Sequence, residues 1–145
     1  MDATGTAGAP ADREAARART RAVAANAFAR FAEGLATGTW DPFFECLADD
    51  FVFHFPVGRY RGRNAGKGRA IEFFRYVSTV YPGGLHLTLD RTIGDECSVA
   101  FEFRDEGLLR GETPYRNRVL VVFDVRDGRI AAYREYFGSD GTSSD

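Results

Sequence analysis

Glu135 is the acidic residue whose neighbours best suit it to acid/base chemistry. It alternates with Tyr133 and Phe137 in a β-rich run, so the three side chains share one face of a predicted strand. Burial among aromatic rings raises the pKa of a carboxyl group and makes it a usable general acid or base near neutral pH. The alternative is an outward glutamate paired with an arginine. Glu135 is the first candidate catalytic residue.

Glu102 and Arg104 place a carboxylate two residues from a guanidinium, on one face of another predicted strand. The residues between and before them, Phe103 and Phe101, are bulky, and bulky residues usually face the core, which turns the charged pair outward. If the strand has the opposite orientation, the pair enters a pocket and Arg104 lies beside Glu135. Both remain candidate catalytic residues.

His54 is the only histidine of the first predicted strand, and histidine is the side chain best suited to proton transfer near neutral pH. It alternates with Phe53 and Phe55, so its side chain lies on the opposite face of the strand from theirs. If the phenylalanine pair lines a pocket, His54 points to the other face and has a structural role. The catalytic and structural interpretations both stay open here.

A cluster of basic residues occupies a glycine-rich loop and could attract an acidic ligand or carrier arm. Its spacing fits neither a phosphate-binding loop nor a metal site, so a solvated loop is the favoured interpretation. The formal net charge of −2 argues against nucleic acid as a partner. The cluster consists of Arg59, Arg61, Arg63, Lys67 and Arg69.

The elements that must position these groups are helices first and strands afterwards, which predicts an α+β fold. Residues 1–10 are rich in Gly, Ala, Thr and Pro and predict a disordered tail. Helical periodicity predicts helices over 11–35, 41–47 and 71–80, and alternation predicts strands over 51–55, 85–93, 97–104, 115–125 and 129–137. A loop is predicted over 107–114, and Asp127-Gly128 predicts a hairpin turn, because the turn needs a positive φ that glycine tolerates.

Composition excludes several classes of protein. No apolar stretch approaches the roughly 20 residues of a membrane span, and no apolar leader begins the chain, so we expect a cytoplasmic protein. The two cysteines, Cys46 and Cys97, are too few for a disulfide framework and are expected to be reduced. Thirteen Phe and six Tyr supply the rigid apolar area of a lined pocket or a subunit interface.

Three stretches resemble a known fold family: Arg30-Phe31 through Trp40-Asp41 to Asp50-Phe51, then residues 70–74 (AIEFF), then residues 123–137 (FDVRDGRIAAYREYF). They are similar to the cone-shaped domain shared by nuclear transport factor 2, ketosteroid isomerase, limonene-epoxide hydrolase and the SnoaL-like polyketide cyclases. The resemblance implies one domain over 11–138, followed by a flexible tail over 139–145. N-terminal helices should pack on a strongly curved, mixed, mainly antiparallel sheet that encloses a pocket.

The ketosteroid isomerase mechanism is not supported by this comparison. The family's general-base aspartate falls on Phe55, its oxyanion-hole tyrosine on Phe31, and its protonated aspartate on Val121. An enolising isomerase needs a base and donors for the developing oxyanion, and these side chains supply neither. The resemblance therefore implies an activity other than classical steroid isomerisation.

Limonene-epoxide hydrolase activates water with an aspartate, an arginine and a second aspartate, assisted by a tyrosine and an asparagine. Its last aspartate resembles Glu135, and in a gap-free alignment its Arg-x-Asp pair falls on Glu102-Phe103-Arg104 in reversed order. Its tyrosine and asparagine become Phe53 and Phe55. The complete water-binding set is therefore missing.

The SnoaL-like cyclases are the nearest fit, through Tyr115-Arg116-Asn117 and Arg134-Glu135-Tyr136. Tyr115 and Asn117 could position a substrate carbonyl or could hydrogen-bond one another. The binding set that the resemblance implies is Phe31, Phe53, Phe55, Tyr115, Asn117, Val119, Val121, Tyr133 and Phe137.

The resemblance implies an enzyme that acts by acid/base chemistry on a hydrophobic polyketide-like or polycyclic intermediate, with no cofactor and no metal. The alternative is a non-catalytic module of the same fold that binds a hydrophobic ligand or a protein. The outward face of the sheet also needs cover, and the Val/Leu content of residues 119–123 predicts a homodimer.

Overall fold

The computed structural model describes residues 9–138 of the chain. It contains three helices, α1 (Pro10–Thr37), α2 (Asp41–Phe44) and α3 (Lys67–Val80). Six strands are present in the same range, β1 (Leu47–Phe55), β2 (Gly62–Ala65), β3 (Leu85–Gly94), β4 (Ser98–Leu109), β5 (Thr113–Arg126) and β6 (Arg129–Phe137). A single 3₁₀ turn, Gly58–Tyr60, joins β1 to β2. The predicted tail residues 1–8 and 139–145 lie outside the described residues, and α1 already begins at Pro10.

The strands form one mixed sheet in the order β2-β1-β6-β5-β4-β3. β1 and β6 pair in parallel, and the other neighbours pair antiparallel. The helices and this open six-stranded sheet confirm the predicted α+β class.

Helix α1 packs an aromatic stripe against the inner face of the sheet. Phe28 and Phe31 recur at helical spacing, and both are buried. The Phe28 ring stacks on Phe101 of β4 with centroids 4.3 Å apart. The helix ends at Gly38, whose φ of 81° is the left-handed conformation that glycine adopts without strain. α1 thereby forms one wall of the interior.

Gly34 lets α1 approach the only tryptophan of the chain. A Cβ at this position would lie 2.3 Å from the Trp40 ring, so any side chain would displace it. Trp40 in turn donates a hydrogen bond from its indole N–H to Ser78 Oγ of α3, at 2.8 Å. This contact ties α1, α2 and α3 together over the sheet.

Strand β4 extends five residues beyond its predicted end at residue 104, to Leu109. The predicted loop over 107–114 is a short turn instead, because β4 and β5 stay paired from Ser98↔Asp124 to Leu109↔Thr113. The Asp127-Gly128 hairpin is confirmed, with φ of 54° and 75°. The longer β4 adds Asp105 and Glu106 to the sheet.

One part of the interior is solid, and the remainder is hollow. Phe53, Val119, Val121 and Phe123 are at most 2 % exposed and belong to the packed core. Beside this core, between α1, α3 and the sheet, lies the cavity described next.

Candidate active site

A cavity of about 330 Å³ opens between the two long helices, the sheet and the loop after β1. Most of its wall is apolar or aromatic: Phe31 and Leu35 from α1, Phe73, Phe74, Tyr76, Val77 and Val80 from α3, Phe55 and Phe137 from the sheet, and Tyr60, Tyr81, Leu85, Phe103 and Tyr133. Two acidic residues, Asp105 and Glu135, also line it. A volume of this size suits one small molecule.

Glu135 extends from β6 into this cavity. Its Oε1 accepts a short hydrogen bond from the Tyr133 hydroxyl, two residues earlier on the same face of the strand. Removal from water is the largest influence on its carboxyl group and raises its pKa to about 8, although the bond from Tyr133 acts in the opposite direction. The negative charge of Asp105 raises the pKa further. Glu135 therefore carries a proton near neutral pH.

Asp105 is the second carboxyl of the cavity, and the sequence reasoning missed it. Its side chain is only 7 % exposed, and burial raises its pKa to about 7. Backbone N–H groups of Asp105 and Asn117 favour the ionised form and moderate this shift. Oδ1 has no hydrogen-bond partner among the described residues. A buried carboxylate oxygen without a protein donor can accept a hydrogen bond from a ligand group.

Tyr115, Asn117 and Tyr81 form a polar patch on the wall near Asp105. Asn117 donates from Nδ2 to the Tyr115 hydroxyl at 3.3 Å and accepts the Arg118 backbone N–H at Oδ1, at 2.9 Å. The rings of Tyr81 and Tyr115 lie 5.0 Å apart. Burial raises the pKa of both tyrosines, so their hydroxyls stay neutral. They can act as hydrogen-bond donors to a bound molecule.

Comparison with known proteins identifies the family of this fold. Residues 28–133 match the family model of the SnoaL-like domain. The chain belongs to the SnoaL-like family. The match covers the C-terminal third of α1, the other two helices, the first five strands and the start of β6, and so includes Asp105 and Tyr133.

Relatives of this SnoaL-like domain carry varied names. An NTF2-like protein of Anabaena variabilis is 53 % identical, with a TM-score of 0.82 over 87 % of this chain and 94 % of that one. An LEH-like epoxide hydrolase of M. tuberculosis is 26 % identical, with a TM-score of 0.66 over 81 % of this chain and 84 % of that one. The uncharacterized protein YesE of Bacillus subtilis is 31 % identical over 108 residues, or 70 % of this chain and 67 % of that protein.

Glu102 and Arg104 do not face the cavity of the SnoaL-like domain. Arg104 donates to Asp90 of β3, with Nη2 2.8 Å from Oδ1, and Arg91 Nε lies 3.6 Å from Glu102 Oε1. All four groups lie on the outer face, because the alternating neighbours Phe101 and Phe103 are buried inside. The pocket interpretation of Glu102 and Arg104 is therefore corrected.

Asp105 lies one residue beyond the Glu102–Arg104 pair that the gap-free alignment selected. In a strand, a shift of one residue moves a side chain to the opposite face. Asp105 continues the alternation of Phe101 and Phe103, so its side chain lies on the same face of β4 as theirs. This alternation in the sequence could have identified Asp105 as a cavity residue. The predicted strand ended at Arg104, the residue before Asp105, whereas β4 continues to Leu109.

His54 also lies away from the cavity wall. It pairs with Arg63 of β2 and Arg134 of β6 in the sheet register, and Phe53 and Phe55 occupy the alternate positions. Its Nδ1 is buried without a partner among the described residues. His54 is not among the residues that line the cavity, which favours the structural interpretation.

The predicted binding residues divide into two groups. Phe31, Phe55, Tyr115, Asn117, Tyr133 and Phe137 line the cavity, whereas Phe53, Val119 and Val121 are packed in the solid core beside it. Residues of α3 such as Tyr76 complete the wall and were not predicted. The sequence pattern could not place them because helix α3 reaches the cavity only through tertiary packing. Arg59 also lines the cavity, although a solvated loop was the favoured interpretation of its basic cluster.

Two further findings concern metals and membranes. Within residues 9–138, no three His, Cys, Asp or Glu side chains come together in a way that could hold a metal ion. No helix of the described range is both long and apolar enough to span a bilayer.

Proposed function

We propose that this SnoaL-like domain is an enzyme that uses two carboxyl groups as acid and base on one small hydrophobic molecule. The observation that carries the proposal is the presence of Asp105 and Glu135 in one aromatic cavity. The raised pKa values of both groups include no contribution from a positive side chain. Active sites hold such perturbed groups in apolar clefts more often than structural positions do.

The two carboxyls oppose each other's ionisation. Burial raises the pKa of Asp105 to about 7 and that of Glu135 to about 8, and the negative charge of Asp105 contributes to the second shift. The two groups titrate as an interacting pair, so the state with one proton on the pair is favoured near neutral pH. The site therefore holds a base and an acid at the same time.

Asp105 is the proposed base, because its unpartnered Oδ1 can accept a proton from a substrate C–H or O–H group. Glu135 is the proposed acid, and it gives its proton to the oxygen on which negative charge develops. Tyr133 holds the Glu135 carboxyl in place through their hydrogen bond. Isomerases, cyclases, dehydratases and hydrolases, the reaction types implied by the family, share a step in which one group removes a proton from the substrate and another donates a proton to it.

The substrate is proposed to be compact. A cavity of about 330 Å³ lies at the lower end of the range for small-molecule sites, and most of its wall consists of rings. The pocket therefore favours a polyketide-like or cyclic intermediate of one or two rings over an extended polycycle. A neutral substrate oxygen would find donors in Glu135 and in the hydroxyl of Tyr81.

The proposal is tested with 5-nitrobenzisoxazole, a flat apolar probe of base strength. A carboxylate removes its ring C–H proton, the N–O bond breaks, and the electron pair remains on oxygen as a coloured phenolate. Desolvated carboxylates perform this elimination better than hydrated ones. We expect a rate at least about 100-fold above that of free acetate at equal concentration and about pH 7.5.

Three variants make the result specific. Asp105→Asn should remove the acceleration, and Glu135→Gln should reduce it. Glu106→Gln changes the adjacent residue, which is exposed on the other face, and should leave the rate unchanged. If the probe binds but reacts no faster than in acetate, the carboxyls are not reactive and a non-catalytic ligand-binding module becomes the better description.

A further inference from the structure

Arg59 lies at the mouth of the cavity, on the single 3₁₀ turn Gly58–Tyr60. Its guanidinium carbon is 4.7 Å from the centre of the Tyr76 ring and 5.8 Å from the centre of the Tyr60 ring. Stacking on these rings fixes the cation at the entrance without neutralising it. Both rings belong to the cavity wall.

Arg59 differs in its partners from the other stacked arginine of this region. Arg69 lies over Tyr60 as well, but it also pairs with Glu72 at 3.1 Å and donates to Asn64. Within residues 9–138, Arg59 has no carboxylate in salt-bridge range. Its charge therefore remains available to a ligand that enters the cavity.

Arg59 and the carboxyls of the cavity differ in their exposure to water. Arg59 is exposed where the loop after β1 lines the cavity, whereas Asp105 is 7 % exposed and lies in the wall that the sheet forms. An anion placed beside these carboxyls would meet negative charge and lose its hydration. The same anion at the mouth would meet Arg59 and stay partly in water.

We propose that Arg59 is a specificity-determining residue that binds a carboxylate at one end of an apolar substrate. The anionic end stays at the mouth, and the uncharged reactive end lies between Asp105 and Glu135. This inference rests on the proposed function, since the molecule so oriented is the substrate of the two carboxyls. The substrate class is thus a hydrophobic carboxylic acid.

The test is calorimetric titration with three probes of equal chain length, decanoate, decanol and decylamine, at about pH 7.5. We expect the wild-type protein to bind decanoate about tenfold more tightly than decanol. Arg59→Gln should remove that preference while binding of decanol stays within about twofold, which also shows that the cavity is intact. Arg63→Gln removes the same charge from exposed β2, away from the cavity, and should keep the preference.

Three results would overturn the inference. The first is that the wild-type protein binds decanoate and decanol equally tightly. The second is that Arg63→Gln loses the preference for decanoate as fully as Arg59→Gln does. The third is that decylamine binds most tightly, which would place a cation beside the carboxyls. The elimination of nitrobenzisoxazole does not require Arg59. Elimination without a decanoate preference therefore rejects only this inference, and an Arg59-dependent preference without elimination rejects only the proposed function.

Discussion

Asp105 and Glu135 enter one cavity from the two strands that flank β5. Asp105 pairs with Asn117 on one side of β5, and Glu135 pairs with Val121 on its other side. The charge on Asp105 raises the pKa of Glu135, so the two groups interact although neither is a neighbour of the other along the chain. The predictions below follow from this pair and from the packing around it.

Neutralising Asp105 should make Glu135 more acidic. In Asp105→Asn, the negative charge that opposes ionisation of Glu135 is gone, so its pKa should fall below the value of about 8 in the wild-type protein. Carbon-detected NMR titration of the Glu135 carboxyl measures this shift. In Glu106→Gln, which changes an exposed neighbour, the same resonance should titrate as in the wild type. An unshifted Glu135 in Asp105→Asn would show that the two carboxyls do not interact.

Tyr133→Phe should act in the opposite direction. The hydroxyl of Tyr133 stabilises the ionised form of Glu135, and its removal should raise the Glu135 pKa further. Loss of this buried hydrogen bond should also cost about 1–2 kcal/mol of unfolding free energy. The control is Tyr136→Phe, since Tyr136 is 51 % exposed on the outer face of the same strand. A Glu135 titration that responds equally to both variants would contradict the assigned role of Tyr133.

The stability of the fold should decrease from mildly acidic to mildly alkaline pH. The pKa of Asp105 rises from 3.8 to about 7 on folding, and that of Glu135 rises from 4.5 to about 8. Between these limits the folded chain binds more protons than the unfolded chain, so the unfolding free energy falls as pH rises. Asp90, Asp95 and Asp124, whose pKa values are lowered, contribute only in the acid range below this window.

Urea denaturation at about pH 5 and about pH 8.5 measures this decrease. Asp105→Asn should flatten it, because an amide at this position has no proton to lose. The variant should therefore be relatively more stable than the wild type on the alkaline side. A wild-type protein that is more stable at about pH 8.5 than at about pH 5 would contradict the assigned pKa directions.

Gly34→Ala should destabilise the helical layer. The new Cβ would overlap the Trp40 ring, and overpacking of this kind typically costs about 1–3 kcal/mol. Chemical denaturation monitored by fluorescence of Trp40, the only tryptophan, reports both the stability and the shift of the ring. Gly68→Ala is the matched control, because a Cβ there meets nothing within 4 Å and α3 gains a better helix former. Equal stability of the two variants would show that Trp40 can move at no cost.

We propose that the outer face of the sheet is covered by a second copy of the chain. Leu120 and Val122 lie on this face between charged neighbours, and Tyr136 is 51 % exposed beside them. Light scattering after size exclusion should give twice the chain mass of 16.0 kDa at micromolar concentration. Leu120→Arg should shift the protein to the monomer, and a monomeric wild type would reject the proposal.

Much of the fold follows from local patterns in the sequence. The helical spacing of Phe28 and Phe31, the glycine at position 38 and the Asp127-Gly128 turn each have a local physical cause, and the structure has the corresponding elements. The order of helices and strands predicted the α+β class, and the alternation of Glu135 with Tyr133 and Phe137 placed those three residues on one face. These features depend on residues that are neighbours along the chain.

Only the tertiary structure decided which charged residues share the cavity. Strand alternation shows that Glu102 and Arg104 oppose Phe103, but burial of the phenylalanines against α1 determines which face is inside. Asp105 belongs to the sheet because β4 continues past Arg104, and the pairing of β4 with β5 holds this extension in place. Arg59 reaches the cavity because Tyr76 of α3 holds it there. The sequence determines which residues share a face of each helix or strand. Which of these faces contact one another depends on how the sheet and the helices pack around the cavity between them.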